Sequence, residues 1–180
     1  MASSDSLLPE TIAGPFSRGV AIPAHPLALD ANRNIDERRQ RALSRYYIDA
    51  GCGGLAVGVH TTQFEIREPK HGLFQPVLTL GKEEMDRADA GRDVPLIRVG
   101  GVAGSTQYAV AEAQLLADLG YHMALVSLAA LKDSNEPAMV EHCRAISRVI
   151  PVIGFYLQPA AGGRRLSYEF WRQLMEIPCI

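Results

Sequence analysis

No apolar run in the 180 residues approaches the roughly 20 that a membrane-spanning helix needs, so no membrane partner is expected. Neither sign of charge is in surplus. Eighteen Lys and Arg stand against 20 Asp and Glu, a formal net charge of −2, which gives no electrostatic ground for expecting a nucleic-acid or acidic-lipid partner. Cysteine is scarce. Cys52, Cys143 and Cys179 are odd in number and far apart, with no CxxC or Cys/His ligand spacing, so neither a disulfide framework nor a zinc-type metal site is indicated. Free thiols in a reducing cytoplasm are the expectation. Met1 to Asp5 is small and polar and lacks the basic-then-apolar pattern of a secretory leader. Neither a GxGxxG fingerprint nor the Lys-Ser/Thr of a P-loop is present, and no second histidine lies at metal-ligand spacing from His60.

What the chain does have is an ordinary globular composition, 47% hydrophobic and 21% charged, and length enough for one domain with a sizeable core. Its pattern alternates short apolar runs with helix-length segments. Gly19 to Pro23 is a short strand. Asp36 to Ala50 is a helix with a charged face (Glu37, Arg38, Arg39, Arg41), an inner face (Leu43, Tyr47, Ile48) and Gly51 as its stop. Gly54 to Val59 is a strand buried on both faces. A long irregular stretch, His60 to Leu80, precedes a helix over Lys82 to Ala90. Strand Pro95 to Val99, helix Ser105 to Leu119, strand Met123 to Ser127, helix Glu136 to Arg148, strand Pro151 to Phe155 and helix Ser167 to Met175 follow. Ile177 to Ile180 read as the entry to a sixth strand. This α/β alternation predicts a parallel sheet. On pattern alone, an open doubly wound sheet and part of a (β/α)8 barrel both fit.

Chemistry-bearing residues gather at the carboxyl ends of the predicted strands. Tyr156 closes the Pro151 to Phe155 run, where a phenol can relay a proton if a neighbour holds its hydroxyl; a core tyrosine bonded to backbone is the alternative. His60-Thr61-Thr62 follows the second strand directly. Adjacent hydroxyls there suit a carboxylate, although threonines also form turns, and His60 reads as a hydrogen-bonded loop histidine. Gly100-Gly101-Val102-Ala103-Gly104 reads as a tight strand-to-helix turn, or less simply as a phosphate cradle. Arg164 and Arg165, in a glycine-flanked loop, could meet an anionic substrate or simply be solvated.

In order and spacing, several segments resemble the dihydrodipicolinate synthase / N-acetylneuraminate lyase family of (β/α)8 aldolases. They are Gly19 to Pro23, Ala50 to Val57, Thr61-Thr62, Val99 to Gly104, Ala111-Glu112-Ala113, Ala124-Leu125-Val126 and Tyr156-x-x-Pro159. The resemblance implies a partial TIM (β/α)8 barrel of about five βα units over residues 19–180, with residues 1–18 as an N-terminal extension. It also implies an aldolase or lyase of a small, pyruvate-type 2-oxo acid, working through a lysine Schiff base without metal or organic cofactor, and a homo-oligomer. Tyr156 would be the proton relay and Thr62 its catalytic partner. Thr61 and Thr62 would bind the carboxylate, with Arg164 or Arg165 standing in for a family arginine whose place is taken by Ala161. The Schiff-base lysine is expected about four residues beyond Ile180, since Lys70, Lys82 and Lys132 lie in other elements; the 180 residues alone are then expected to be inactive. Gln63-Phe64, in place of the family's Gly-Glu, and Leu131, near the place of a family tyrosine, depart from the pattern. These departures argue against a true dihydrodipicolinate synthase, and Gln63-Phe64 together with Ala161 favour the alternative of a non-catalytic small-molecule-binding or regulatory domain on the same scaffold.

Overall fold

The computed structural model describes residues 8–155, 159 and 163–180. Four parallel strands pair in chain order: β1 (Gly54–Val57), β2 (Ile97–Val102), β3 (Met123–Val126) and β4 (Val152–Ile153). Helix α1 (Glu10–Arg18) comes first and α2 (Glu37–Asp49) leads into β1. Helices α3 (Phe74–Asp89), α4 (Thr106–Asp118) and α5 (Glu136–Ser147) make the three crossovers, and α6 (Tyr168–Met175) follows β4. Side-chain caps mark several starts. Asp36 accepts from the Arg39 amide, Asn135 from that of Ala138 and Ser167 from that of Phe170, each satisfying an orphan donor of the first turn.

The strand order decides between the two architectures. A doubly wound sheet reverses its order at a switch point and carries helices on both faces; here sheet neighbours are sequence neighbours throughout. Leu55, Val57, Val102, Ala124, Val126 and Val152 bury one face of the sheet in a core shared with Leu78, Met85, Leu116, Met139, Ile146 and Phe170 of α3 to α6. Ala56, Ile97, Val99 and Met123 face the other way, where Ile12 of α1 packs on them. Helices α3 to α6 all on one face of a singly wound parallel sheet are the geometry of part of a (β/α)8 barrel.

Four expectations need correction. Gly19 to Pro23 is not a full strand: only a parallel bridge from Ala24 to Ala56 forms. The segment still runs beside β1, because Gly53 donates to the Ala21 carbonyl (2.9 Å), Ala56 to that of Pro23 (3.0 Å) and His25 to that of Ala56 (2.8 Å). Pro23 and Pro26 have no N–H to give, which thins the ladder. The stretch His60 to Leu80 is more ordered than its prolines suggest. Two short 3-10 turns, His60–Thr62 and Phe64–Arg67, lead into α3, which starts about two turns before Lys82. Pro76 lies in its first turn, where no intrahelical N–H is required.

The third correction concerns the glycines. Gly100 and Gly101 belong to β2 rather than to a turn after it. A Cβ on Gly100 would lie 2.1 Å from Leu116 Cδ2, and one on Gly101 would lie 2.2 Å from the Gly58 carbonyl oxygen. Close approach, not phosphate binding, explains the pair. Finally, Ile177 to Ile180 form a turn, with Cys179 at φ 79°. The Cys179 carbonyl nevertheless accepts from Val152 N (2.8 Å), on the side of β4 away from β3.

Candidate active site

The carboxyl ends of the strands converge on a cavity of about 190 Å³. Ala24 contributes from the segment beside β1. Val59, His60, Thr61 and Phe64 come from the turns after β1, Gly101 from β2, Leu125, Val126 and Ser127 from the end of β3, and Phe155 from just past β4. This is the end of a parallel barrel at which loops carry chemistry. A larger groove of about 830 Å³ follows β4 between Phe16 and Trp171, but it holds none of the expected site residues.

The two threonines have different situations. Thr61 is exposed and lines the cavity. Thr62 is fully buried, and its hydroxyl is engaged twice: it accepts from Gly58 N at 3.0 Å and donates to the His25 carbonyl at 2.6 Å. Behind it, the buried His25 ring meets Ser44 Oγ through Nε2 (2.9 Å) and Gln40 Nε2 through Nδ1 (2.7 Å). Burial holds this imidazole below its ordinary pKa, so a neutral ring links α2 to the turn that carries the threonines. Gln40 and Ser44 are buried on the inner face of α2, beside Tyr47 and Ile48, which pack partly buried against the core as the sequence suggested, while Leu43 is half-buried.

His60 lines the cavity, its ring edge-on to Phe64 at 5.8 Å between centroids. Ser127 is 8% exposed on the same wall. Arg164 is elsewhere, in a small cleft that shares Phe155 with the cavity. Its guanidinium donates to the carbonyls of Lys132 (3.0 Å) and Ser134 (2.7 Å) and lies 3.7 Å from Glu136. Arg165 is exposed. Tyr156 and Ala161 lie outside the described residues. Among the described residues, no group of three or more His, Cys, Asp or Glu could hold a metal ion.

The main electrostatic feature beside the cavity is one that sequence reasoning did not single out. Arg67 donates to Glu112 Oε1 (2.8 Å) and to the carbonyls of Gly58 (3.0 Å) and Gly101 (2.9 Å), and Glu112 Oε2 accepts from Ala103 N (3.0 Å). The pair thus ties the carboxyl ends of β1 and β2 to α4. Arg67 also sits over the rings of Phe74 (4.1 Å) and Phe64 (5.6 Å). Burial pushes the Glu112 carboxyl up and the Arg67 guanidinium down, and their mutual attraction only partly opposes this. The one sequence signal was Glu112 itself, a lone acid on the alanine-rich buried stripe of α4; nothing local marks Arg67.

No protein-family model matches this sequence, and no curated protein matches it. Solved structures match its fold. The dihydrodipicolinate synthase of Aquifex aeolicus aligns at a TM-score of 0.74 and 19% identity, over 89% of this chain and 53% of its own. The structure of CdNal from Clostridium difficile, in complex with mannosamine, aligns at 0.75 and 19% identity, over 87% and 52%. The dihydrodipicolinate synthase of Acinetobacter baumannii, complexed with pyruvate, aligns at 0.69 and 22% identity, over 88% and 52%. The chain has the fold of the N-terminal half of these (β/α)8 barrels, as the sequence resemblance implied. It spans about half the length of the structures it matches.

Proposed function

We propose that the chain forms the first βα units of a dihydrodipicolinate synthase-like aldolase or lyase, which makes or breaks a bond next to the carbonyl of a small 2-oxo acid through a Schiff base. The observation that carries this reading is the cavity at the strand ends, with the Thr61 hydroxyl and the His60 ring on its wall, in a fold whose Acinetobacter baumannii neighbour was solved with pyruvate. A protonated imine is an electron sink, so the adjacent carbon can pass through an enamine without metal or organic cofactor. Thr61 binds the carboxylate. Thr62 holds the turn through its two backbone hydrogen bonds. Tyr156, next in sequence to the cavity-lining Phe155, relays the proton. Arg164 and Arg165 supply positive charge near the mouth. A cytoplasmic homo-oligomer is part of the same proposal.

None of Lys70, Lys82 or Lys132 lines the cavity. Lys70 pairs with Glu68 and Lys82 with Asp86, and Lys132 borders the cleft that holds Arg164. The reading therefore requires an imine-forming lysine outside these 180 residues. The test is borohydride reduction in the presence of pyruvate, followed by peptide mass mapping. The protein from the complete reading frame is expected to carry a reduced adduct on such a lysine, and the 180-residue chain none. An adduct on Lys70, Lys82 or Lys132 refutes the assignment.

A second reading, a non-catalytic small-molecule-binding domain on the same scaffold, draws on the full commitment of the Thr62 hydroxyl to backbone. It predicts pyruvate binding without any adduct on the complete protein.

A further inference from the structure

We propose that Arg67 is a positioning residue for the site: it holds the turn that presents Thr61 to the cavity, against backbone strain at Gln63. This rests on the reading of Thr61 as the group that binds a substrate carboxylate. Residues 58–67 are gripped from both ends. At the first, the Thr62 hydroxyl accepts from the Gly58 amide (3.0 Å) and donates to the His25 carbonyl (2.6 Å). At the second, Arg67 Nη2 donates to the carbonyls of Gly58 (3.0 Å) and Gly101 (2.9 Å). The paired register of β1 and β2 ends at Val57 and Gly100. Arg67 therefore joins the two strands one residue beyond their ladder, where Val59 and Gly101 begin to wall the cavity.

Between the two grips stands Gln63, at φ 79° and ψ 130°, a left-handed backbone that a residue with a Cβ rarely adopts. Such a conformation persists only where its surroundings over-determine it. Gln63 is the joint between the two 3-10 turns. Relaxation there would swing His60 and Thr61 on one side against Phe64 and Arg67 on the other. Within the turn, Gln63 N donates to the His60 carbonyl (3.0 Å). From outside it, Arg67 anchors the far side of the joint to α4 through Glu112 (2.8 Å) and to β2 through Gly101. Arg67 also lies over the Phe64 ring, which meets the His60 ring edge-on, so the grip extends to the residue before Thr61. A lysine ammonium could still neutralise Glu112. It lacks the planar fork that reaches both carbonyls and the flat face that lies on Phe74.

The test measures pyruvate binding by calorimetry to the protein from its complete reading frame, with a melting curve for each variant to establish that it is folded at the assay temperature. Two variants remove the clasp and keep the charges balanced: Arg67→Lys, and Arg67→Met combined with Glu112→Met. Each is expected to bind pyruvate about fivefold or more weaker than wild type, since displacement of a binding group by a fraction of an ångström is costly. In a Thr61→Val background, Arg67→Lys should cost less than about twofold further, because a residue that acts through the Thr61 hydroxyl then has nothing to position. Adding Gln63→Gly to Arg67→Lys should recover about twofold or more, since glycine takes a positive φ without strain. Losses below about twofold in both clasp variants, the limit for independent sites, an undiminished loss in the Thr61→Val background, or no recovery from Gln63→Gly overturns the proposal. A wild type that binds pyruvate but yields no borohydride adduct removes the Schiff-base chemistry, and the variant affinities still decide the role of Arg67. A wild type that does not bind pyruvate overturns the 2-oxo acid reading and this proposal with it.

Discussion

Replacing Arg67 by Met removes a guanidinium that is 14% exposed from a carboxylate that is 15% exposed. Glu112 then keeps one hydrogen bond, from Ala103 N, and its charge has lost its partner. Breaking a buried ion pair on one side costs about 3–5 kcal/mol. The carbonyls of Gly58 and Gly101 also lose a charged donor, worth roughly 1 kcal/mol each where water does not replace it. We expect Arg67→Met to destabilise by about 6 kcal/mol, which for a chain of this length lowers the melting temperature by roughly 15–20 °C. Removing both partners is a different perturbation. Burial shifts both groups toward their neutral forms despite the pairing, so desolvation outweighs attraction. An apolar pair of similar volume should therefore recover most of the loss. Arg67→Met with Glu112→Met should cost no more than about 2 kcal/mol, mainly through the two carbonyls. Urea unfolding of wild type, both single variants and the double variant closes the cycle. A coupling energy below about 0.5 kcal/mol, the limit for independent sites, would refute the reasoning.

Thr62→Val is expected to cost about 2–3 kcal/mol, because an isosteric methyl leaves Gly58 N and the His25 carbonyl buried without their partner, whereas Thr61→Val at its exposed position should stay within about 0.5 kcal/mol; equal melting temperatures for the two would contradict the division of roles. Gly101→Ala should destabilise by roughly 2–3 kcal/mol, since its Cβ meets the Gly58 carbonyl, and Gly100→Ala by less, since it meets the movable end of Leu116; chemical denaturation would show the reverse order if this is wrong. His122 accepts from Arg98 N through Nδ1, and its pKa is pushed down to about 4 by burial, with the Arg98 charge adding to the effect. The unfolded state, protonating near 6.5, then binds more protons, so stability present above about pH 6.5 is lost progressively towards pH 4. His122→Gln should flatten that decline, and a wild-type profile level from pH 6.5 to 5 would refute the assignment.

The helices and central strands were legible because their signals are local. In the structure Asp36, Asn135 and Ser167 cap helix starts by chemistry that acts within three residues. The apolar runs at Leu55, Ala124 and Val152 are buried whichever architecture the sheet adopts. Strand order was not legible, because consecutive and reversed parallel sheets can be built from the same runs; only the resemblance favoured the barrel. The site was legible to the same degree. His60-Thr61 and Phe155 were placed near strand ends by strand prediction alone, and the cavity gathers them. The contacts that hold it span the chain. Arg67 reaches Glu112 and Gly101, and the Thr62 hydroxyl reaches the His25 carbonyl. A pair of that kind leaves no periodicity in either segment. The misread glycines make the limit specific. Gly100 and Gly101 looked like a turn because glycine permits turns, yet in β2 the missing side chains admit Leu116 on one face and the Gly58 backbone on the other. A glycine pair continuous with an apolar run therefore carries two meanings, and only the neighbour that fills the space chooses between them. Here that neighbour is the carboxyl end of β1, so the residues that first suggested a phosphate loop instead bring β1 and β2 close enough for Arg67 to bridge them under the cavity.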